Sequence, residues 1–185
     1  VIVVLFPIKH VNDPTANDKT DRNRIIIGLI LLLLAGYTKQ LAYATVIAAF
    51  IFLLSKGFWR ALKAGIAFGL VGAGIFIALN ISTQGWWWFH IIIANINEFV
   101  PGQLERFYQQ WHTLHIVLIW ASVAGLIYEA FKRQVSLYSI WMILTIANGA
   151  LAGKWGAGES YFITSVAAIC LCSGIAFTRL IGDSQ

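Results

Sequence analysis

Residues 25–54 read IIIGLILLLLAGYTKQLAYATVIAAFIFLL, a thirty-residue apolar run interrupted near its middle by Thr38, Lys39 and Gln40. A soluble core helix has no use for such a run, and a simple membrane span has no use for an ammonium group at its centre. Lysine at mid-bilayer costs about 2.5–3.5 kcal/mol on insertion scales, so an uncompensated Lys39 would be excluded from lipid. Its presence argues for a turn, a site, or both.

The rest of the chain agrees with a membrane setting. Of its 185 residues 59% are hydrophobic and only 11% charged, with a mean hydropathy of +0.75. That balance lies outside ordinary globular domains and predicts an all-α fold, a polytopic bundle of transmembrane helices. Expected spans are 25–37, 41–54, 61–81, 114–131, 135–152 and 161–181, forming a single domain over 1–185 with an exterior loop at 82–113 that carries interfacial amphipathic helices. Most of these runs approach the roughly 20 residues a helix needs to cross the hydrocarbon, and barrel strands would be shorter and alternating. Val1 to Phe6 reads as the tail of an apolar helix, so the chain is expected to be part of a longer protein. Cys170 and Cys172 are two apart on an expected helix, point to different sides and cannot pair locally.

A net charge of +5 does not by itself indicate nucleic acid, which is not an expected partner; in a membrane protein the placement of charge matters more. If 25–37 rises and 41–54 descends, Lys19, Arg22, Arg24, Lys56, Arg60, Lys63, Lys132, Arg133 and Arg179 share one face. The opposite face then receives only Lys39, Arg106 and Lys154, the asymmetry expected when the basic side is cytoplasmic. Each arm of the pair is short, about 20 Å, which places the Lys39 turn below the outer surface. A single broken span across 25–54 is the alternative. His10 to Arg24 has the composition of a solvated connector.

Four segments carry candidate chemistry on the exterior face. Thr38-Lys39-Gln40 offers a cation with two neutral hydrogen-bonding neighbours, suited to an anionic phosphate, or else to a lysine snorkelling to the interface. Lys154 to Ser160 joins two spans with a cation, two glycines and Glu159, either as a ligand-facing loop or as a capping turn closed by a Lys154–Glu159 ion pair. Trp86 to Phe89 forms an interfacial aromatic anchor, and the segment behind it can roof a cavity and offer Asn95, Asn97 or Glu98 to a polyhydroxylated ligand. Gln103 to His115 reads as a second interfacial helix; His112 and His115 share a face but no Asp or Cys lies near them, so no metal site is expected. Gly65 and Gly69 suggest close helix packing. No nucleotide-binding loop or hydrolase motif occurs.

Three runs taken in order are familiar: Ala35-Gly36-Tyr37-Thr38-Lys39-Gln40-Leu41-Ala42, then Trp87 to Glu98 and on to Phe99, then Gly156-Ala157-Gly158-Glu159-Ser160-Tyr161-Phe162. From about residue 24 onward the chain resembles the multi-span glycosyltransferases of the C-type fold, and most of all the bacterial relatives of the protein mannosyltransferase group, family 39. The resemblance implies a hexosyltransferase-type enzyme of a bacterial inner or plasma membrane, moving a sugar from a polyprenyl-phosphate carrier to an unknown acceptor on the non-cytoplasmic side. It implies that an acidic residue serving as general base lies in a loop upstream of Val1, so the catalytic residue is unknown here. Lys39, and with it Lys154, would face the carrier phosphate, while Gln40 and Glu159 would shape the sugar or acceptor pocket. Membrane lipid is the other expected partner. No cofactor is expected, and dependence on a divalent cation is left open. A transporter or flippase for a lipid-linked or anionic solute is the chief alternative, and a structural membrane subunit is a third.

Overall fold

The structure, a computed structural model, describes residues 2–5, 7–9, 13, 17–133 and 135–182; its regular elements are helices, with no strand among the described residues beyond a single Phe99–Lys154 bridge. Its α-helices are α1 (Ile2–Leu5), α2 (Asp18–Thr38), α3 (Tyr43–Lys56), α4 (Phe58–Ser82), α5 (Trp86–Ile91), α6 (Pro101–Phe131), α7 (Leu137–Asn148) and α8 (Ile163–Gly182). Tight 3-10 segments lie at Gln40–Ala42, Ile93–Asn95, Gly149–Gly153 and Glu159–Phe162. Phe58–Ser82, Pro101–Phe131 and Glu159–Arg179 are long and apolar enough to cross a membrane.

Helix α2 starts well before its apolar run. Asn17 caps it, its side chain accepting from the Thr20 N–H at 3.1 Å, and Asp18 and Asp21 sit in the first turn where the helix dipole favours acids. The expected connector therefore ends at Asn17; residues 10–12 and 14–16 lie outside the described part.

Two ion pairs decide between hairpin and broken rod. Arg60, at the start of α4, reaches Asp18 at 3.0 Å and Asp21 at 3.4 Å. In one continuous helix residues 18 and 60 would stand about 63 Å apart, so α3 must double back along α2. Helix α4 then runs parallel to α2, with the Tyr37 hydroxyl donating to the Gly72 carbonyl and Leu33 against Gly72. Lys19, Arg22, Arg24, Lys56, Arg60 and Lys63 thus gather at one end of this group, with Lys39 at the other.

The second group is built from α6, α7 and α8. Leu118 against Ser173, Gly125 against Ala176 and Glu129 against Arg179 follow one another in the same order along both chains, so α6 and α8 are parallel. Helix α7 runs against both, since Ser139 meets Glu129 at one end and Tyr108 donates to the Ile146 carbonyl at the other, 2.6 Å away. The Trp141 indole donates to Thr45 at 3.0 Å, joining α7 to α3 and thus the two groups.

Two expected boundaries move. The interfacial helix at 103–115 and the span at 114–131 form one helix, α6, because no glycine or proline breaks the backbone ladder between Gln103 and Ala124. Only His115 departs from helical geometry, with φ −121° and ψ 18°, which marks the expected junction as a kink. The span at 135–152 is helical from Leu137 to Asn148 and tightens to 3-10 at Gly149–Gly153, where the absent side chains of Gly149 and Gly153 admit the rings of Phe162 and Phe99.

The Gly65/Gly69 pattern does not mark a helix seam. Nothing lies within 4 Å of where a Gly69 Cβ would be, and only Phe50, at 3.7 Å, approaches Gly65. Helix α4 turns most of its apolar surface outward, with Leu70 70% and Ile81 72% exposed. Such continuous exposed apolar area requires a non-aqueous surrounding or a partner. The tight seam lies elsewhere: a Cβ on Gly125 would come within 2.7 Å of the Ala176 Cβ. Gly125→Val is accordingly expected to destabilise the protein by about 1–3 kcal/mol through overpacking, whereas Gly69→Val should leave stability unchanged. Thermal unfolding of both variants in detergent checks the contrast.

Candidate functional site

The Lys39 turn forms because α2 runs out of hydrogen-bonded continuation. Lys39 takes an extended conformation, φ −153° and ψ 129°, while its N–H still bonds to the Ala35 carbonyl at 2.9 Å. The Thr38 hydroxyl donates back to the Leu34 carbonyl at 2.7 Å, which occupies its proton and leaves its oxygen lone pairs outward. The Lys39 and Thr38 side chains are both exposed. The Gln40 side chain lies outside the described part.

Over this turn sits α5. Gly85, at φ +87°, adopts the left-handed conformation that suits glycine and starts the short helix. Its first N–H groups are taken up by side chains, Trp87 N–H donating to Thr83 Oγ1 at 2.9 Å and Trp88 N–H to Asn80 Oδ1 at 3.2 Å. This places the Trp87 ring on Tyr37, with centroids 6.2 Å apart and planes inclined by 27°. Between α2, α4 and α5 a groove of about 280 Å³ remains. Phe76, Tyr43, Trp87 and Ile91 form parts of its apolar wall, and Thr38 and Lys39 lie at its turn end. The Trp87 Nε1 is buried without an acceptor.

A second cavity, of about 460 Å³, lies between α6 and the start of α8. Glu159 accepts a hydrogen bond from Gln110 Nε2 at 2.9 Å on its wall, and Trp111 stacks on Phe162 with centroids 5.8 Å apart. Lys39 and Glu159 therefore line different cavities. The reason is the paired bundle: each residue tops a different three-helix group. The Lys154–Glu159 ion pair is not formed, since Gln110 holds the carboxylate instead.

Lys154 lines neither cavity. Its backbone pairs with Phe99, its carbonyl accepts from Gln103 Nε2 at 2.8 Å, and its side chain is half-buried. Asn95 is turned inward, its amide donating to the carbonyls of His90 at 2.7 Å and Ile91 at 3.2 Å, where it closes the end of α5. Its amide nitrogen is thus taken up by the backbone, while Asn97 is exposed on the connector. Among the described residues no three His, Cys, Asp or Glu side chains gather as a metal site.

The loop at 82–113 touches both neighbouring turns. Trp87, Ile91 and Ile92 roof the Lys39 groove, while Val100 N–H donates to the Gly153 carbonyl at 2.7 Å and Trp155 N–H to the Glu98 carbonyl at 2.7 Å. Three distant polar segments are thus physically linked, although their functional side chains do not share a cavity. Gln103 is the chief clamp, its amide also donating to the Ala152 carbonyl at 2.7 Å. Gln103→Ala should cost about 1–2 kcal/mol and loosen the 149–158 loop, seen as faster amide hydrogen exchange there with the α2–α3 turn unchanged.

Several residues went unremarked in the sequence. Asn80 holds the groove's roof by accepting from Trp88 N–H, and the role of Tyr37 rests on its contact with Gly72, 35 residues away. Glu129, 4% exposed, accepts from the Ser136 N–H at 2.8 Å, the Ser139 hydroxyl at 2.7 Å and Arg179 at 2.6 Å. Its signal was available, an acid inside an apolar run. Compared with protein-family models, curated proteins and solved structures, the chain matches none.

Proposed function

We propose that the chain is the carrier-binding part of a polytopic membrane glycosyltransferase that takes a sugar from a polyprenyl phosphate on the non-cytoplasmic side, with Lys39 against the phosphate. The observation that carries this reading is the build of the groove at the Lys39 turn: aromatic and aliphatic side chains, the Trp87 ring among them, with a cation and a hydroxyl at the turn end. An amphiphile with an apolar chain and an oxyanion head fits that order of surfaces.

The membrane placement follows from charge and exposure. Six basic residues stand at the end of the first group opposite Lys39, and the positive-inside rule puts that end in the cytoplasm. Helices α4, α6 and α8 span, while the 14 residues of α3 reach only about 21 Å, so the Lys39 turn sits inside the outer membrane boundary. A partly dehydrated ammonium is there most strongly attracted to a full negative charge.

Chemically, a polyprenyl phosphate is a leaving group whose charge grows as the glycosidic bond breaks. A fixed cation at that oxygen stabilises the transition state more than the bound donor. No base is assigned to Glu98 or Glu159: Glu159 is held by Gln110 in the other cavity, and Glu98 is exposed on the connector. The test is release of polyprenyl phosphate from a labelled polyprenyl-phosphate hexose by the full-length protein, with Lys39→Ala and Lys39→Arg compared. Unchanged turnover of Lys39→Ala at limiting donor would remove Lys39 from the site. Passage of the intact labelled lipid across the bilayer without release would favour the transporter instead.

A further inference from the structure

A second cleft lies between α2 and α4, at the end opposite Lys39, with a volume of about 900 Å³. Lys19, Arg22 and Lys63 line one end of it, and Ile26, Leu29 and Ala67, further along the same two helices, line the rest. Asp18 lies there too, but its Oδ1 is 3.0 Å from Arg60 Nη2, and Asp21 is shared between Arg60 and Arg24, so both acids are committed to arginine. Among the described residues, Lys19, Arg22 and Lys63 have no acid within ion-pair distance. The side chains of all three are exposed, and beside them Phe58 and Trp59 project with 59% and 70% exposure.

Resting on the membrane placement above but not on the transfer reaction, we propose that this cleft binds one anionic phospholipid from the cytoplasmic leaflet. Charge complementarity selects the occupant. Three cations without counter-charge at headgroup depth call for a phosphate-bearing head, and a continuous apolar wall leading away from them calls for an acyl chain. A free phosphate would leave the wall unused, and a zwitterionic lipid would carry its own cation to the basic end. Trp59, amphipathic and outward, marks the interfacial level at which such a headgroup sits. Arg60 differs from its three neighbours: it ties α2 to α4 through Asp18 and Asp21 and so holds the cleft open at fixed width.

The test uses the full-length protein in mild detergent, equilibrated with an equal mixture of phosphatidylcholine and phosphatidylglycerol and examined by native mass spectrometry. Wild type should retain phosphatidylglycerol in preference to phosphatidylcholine. Combined Lys19→Gln, Arg22→Gln and Lys63→Gln should reduce that retention at least about tenfold, given the strength of surface cations toward anionic lipid. Ala67→Trp, which fills the wall without changing charge, should also reduce it. Lys132→Gln with Arg133→Gln, which removes two cations outside the cleft, should not. Wild-type retention in the triple variant overturns the site, as does equal loss in the Lys132/Arg133 control, which would indicate diffuse attraction. Displacement of the lipid by millimolar glycerol phosphate would reduce the cleft to a simple anion site and overturn the lipid assignment. Should the triple variant misfold by circular dichroism, Lys63→Gln alone, which breaks no ion pair, is read the same way with a smaller loss.

Discussion

Glu129→Ala is expected to destabilise the protein by about 3 kcal/mol. The carboxylate is 4% exposed and receives the Ser136 N–H, the Ser139 hydroxyl and Arg179, so it closes the α6–α7 turn and docks α8 onto it in one step. Alanine leaves the Ser136 N–H and the Ser139 hydroxyl without an acceptor in a buried place, each costing about 1–3 kcal/mol before relaxation. Arg179 is 36% exposed and can turn its charge to solvent, which keeps the loss below that of a fully buried pair. Arg179→Ala acts differently: it strands a buried carboxylate, whose two serine hydrogen bonds remain. The double variant should therefore lose less than the sum of the singles, with a coupling of about 1 kcal/mol or more. Unfolding by heat in detergent, followed by near-ultraviolet circular dichroism, measures all three. Strict additivity would show that Glu129 and Arg179 do not act as a unit.

For turnover the largest effect is expected at Lys39. If its ammonium stabilises the departing phosphate, Lys39→Ala should lower kcat by about 10²–10³, the range seen when one preorganised donor to a developing anion is removed. Lys39→Arg should recover part of the rate, because the charge survives while the compact ammonium is replaced by a broad planar fork. The division between constants tells binding from catalysis. A raised KM with kcat intact would mean that Lys39 holds donor and transition state equally, whereas matching falls in kcat and kcat/KM would mean that its contact forms only as the bond breaks. Folding should be unaffected, since Lys39 is exposed and makes no ion pair among the described residues. Trp87→Phe is the matching probe of the wall: it keeps an aromatic ring on Tyr37 but deletes the unpaired Nε1, so any loss of donor affinity reports the indole N–H.

Much of the first helical group was legible from residue order. A lysine in the middle of thirty apolar residues meant a break, and the basic residues on both flanks meant that the two arms return to one end. The acids answering Arg60 were less evident, because Asp18 and Asp21 read as a solvated connector until the Asn17 cap is recognised as a helix start. The glycines misled in a definite way. Gly65 and Gly69 have the spacing of a seam, but Gly69 faces outward and Gly65 meets only the Phe50 ring at ordinary contact distance, while the close approach occurs at Gly125, which has no partner glycine at that spacing. Spacing along one helix states which residues share a face, not what the face meets.

The class of the protein, its helices, the turn at Lys39 and the segregation of basic charge follow from local chemistry: apolar run length, breakers and caps act over a few residues and are written in the chain directly. The placing of Lys39 and Glu159 in separate cavities and the Glu129–Arg179 lock were settled only by packing. Each depends on groups brought together across helices, such as Gln110 with Glu159 and Arg179 with Glu129, 49 and 50 positions apart. Hydrogen-bond competition at that distance is decided by which helices lie side by side, and no short-range pattern encodes it.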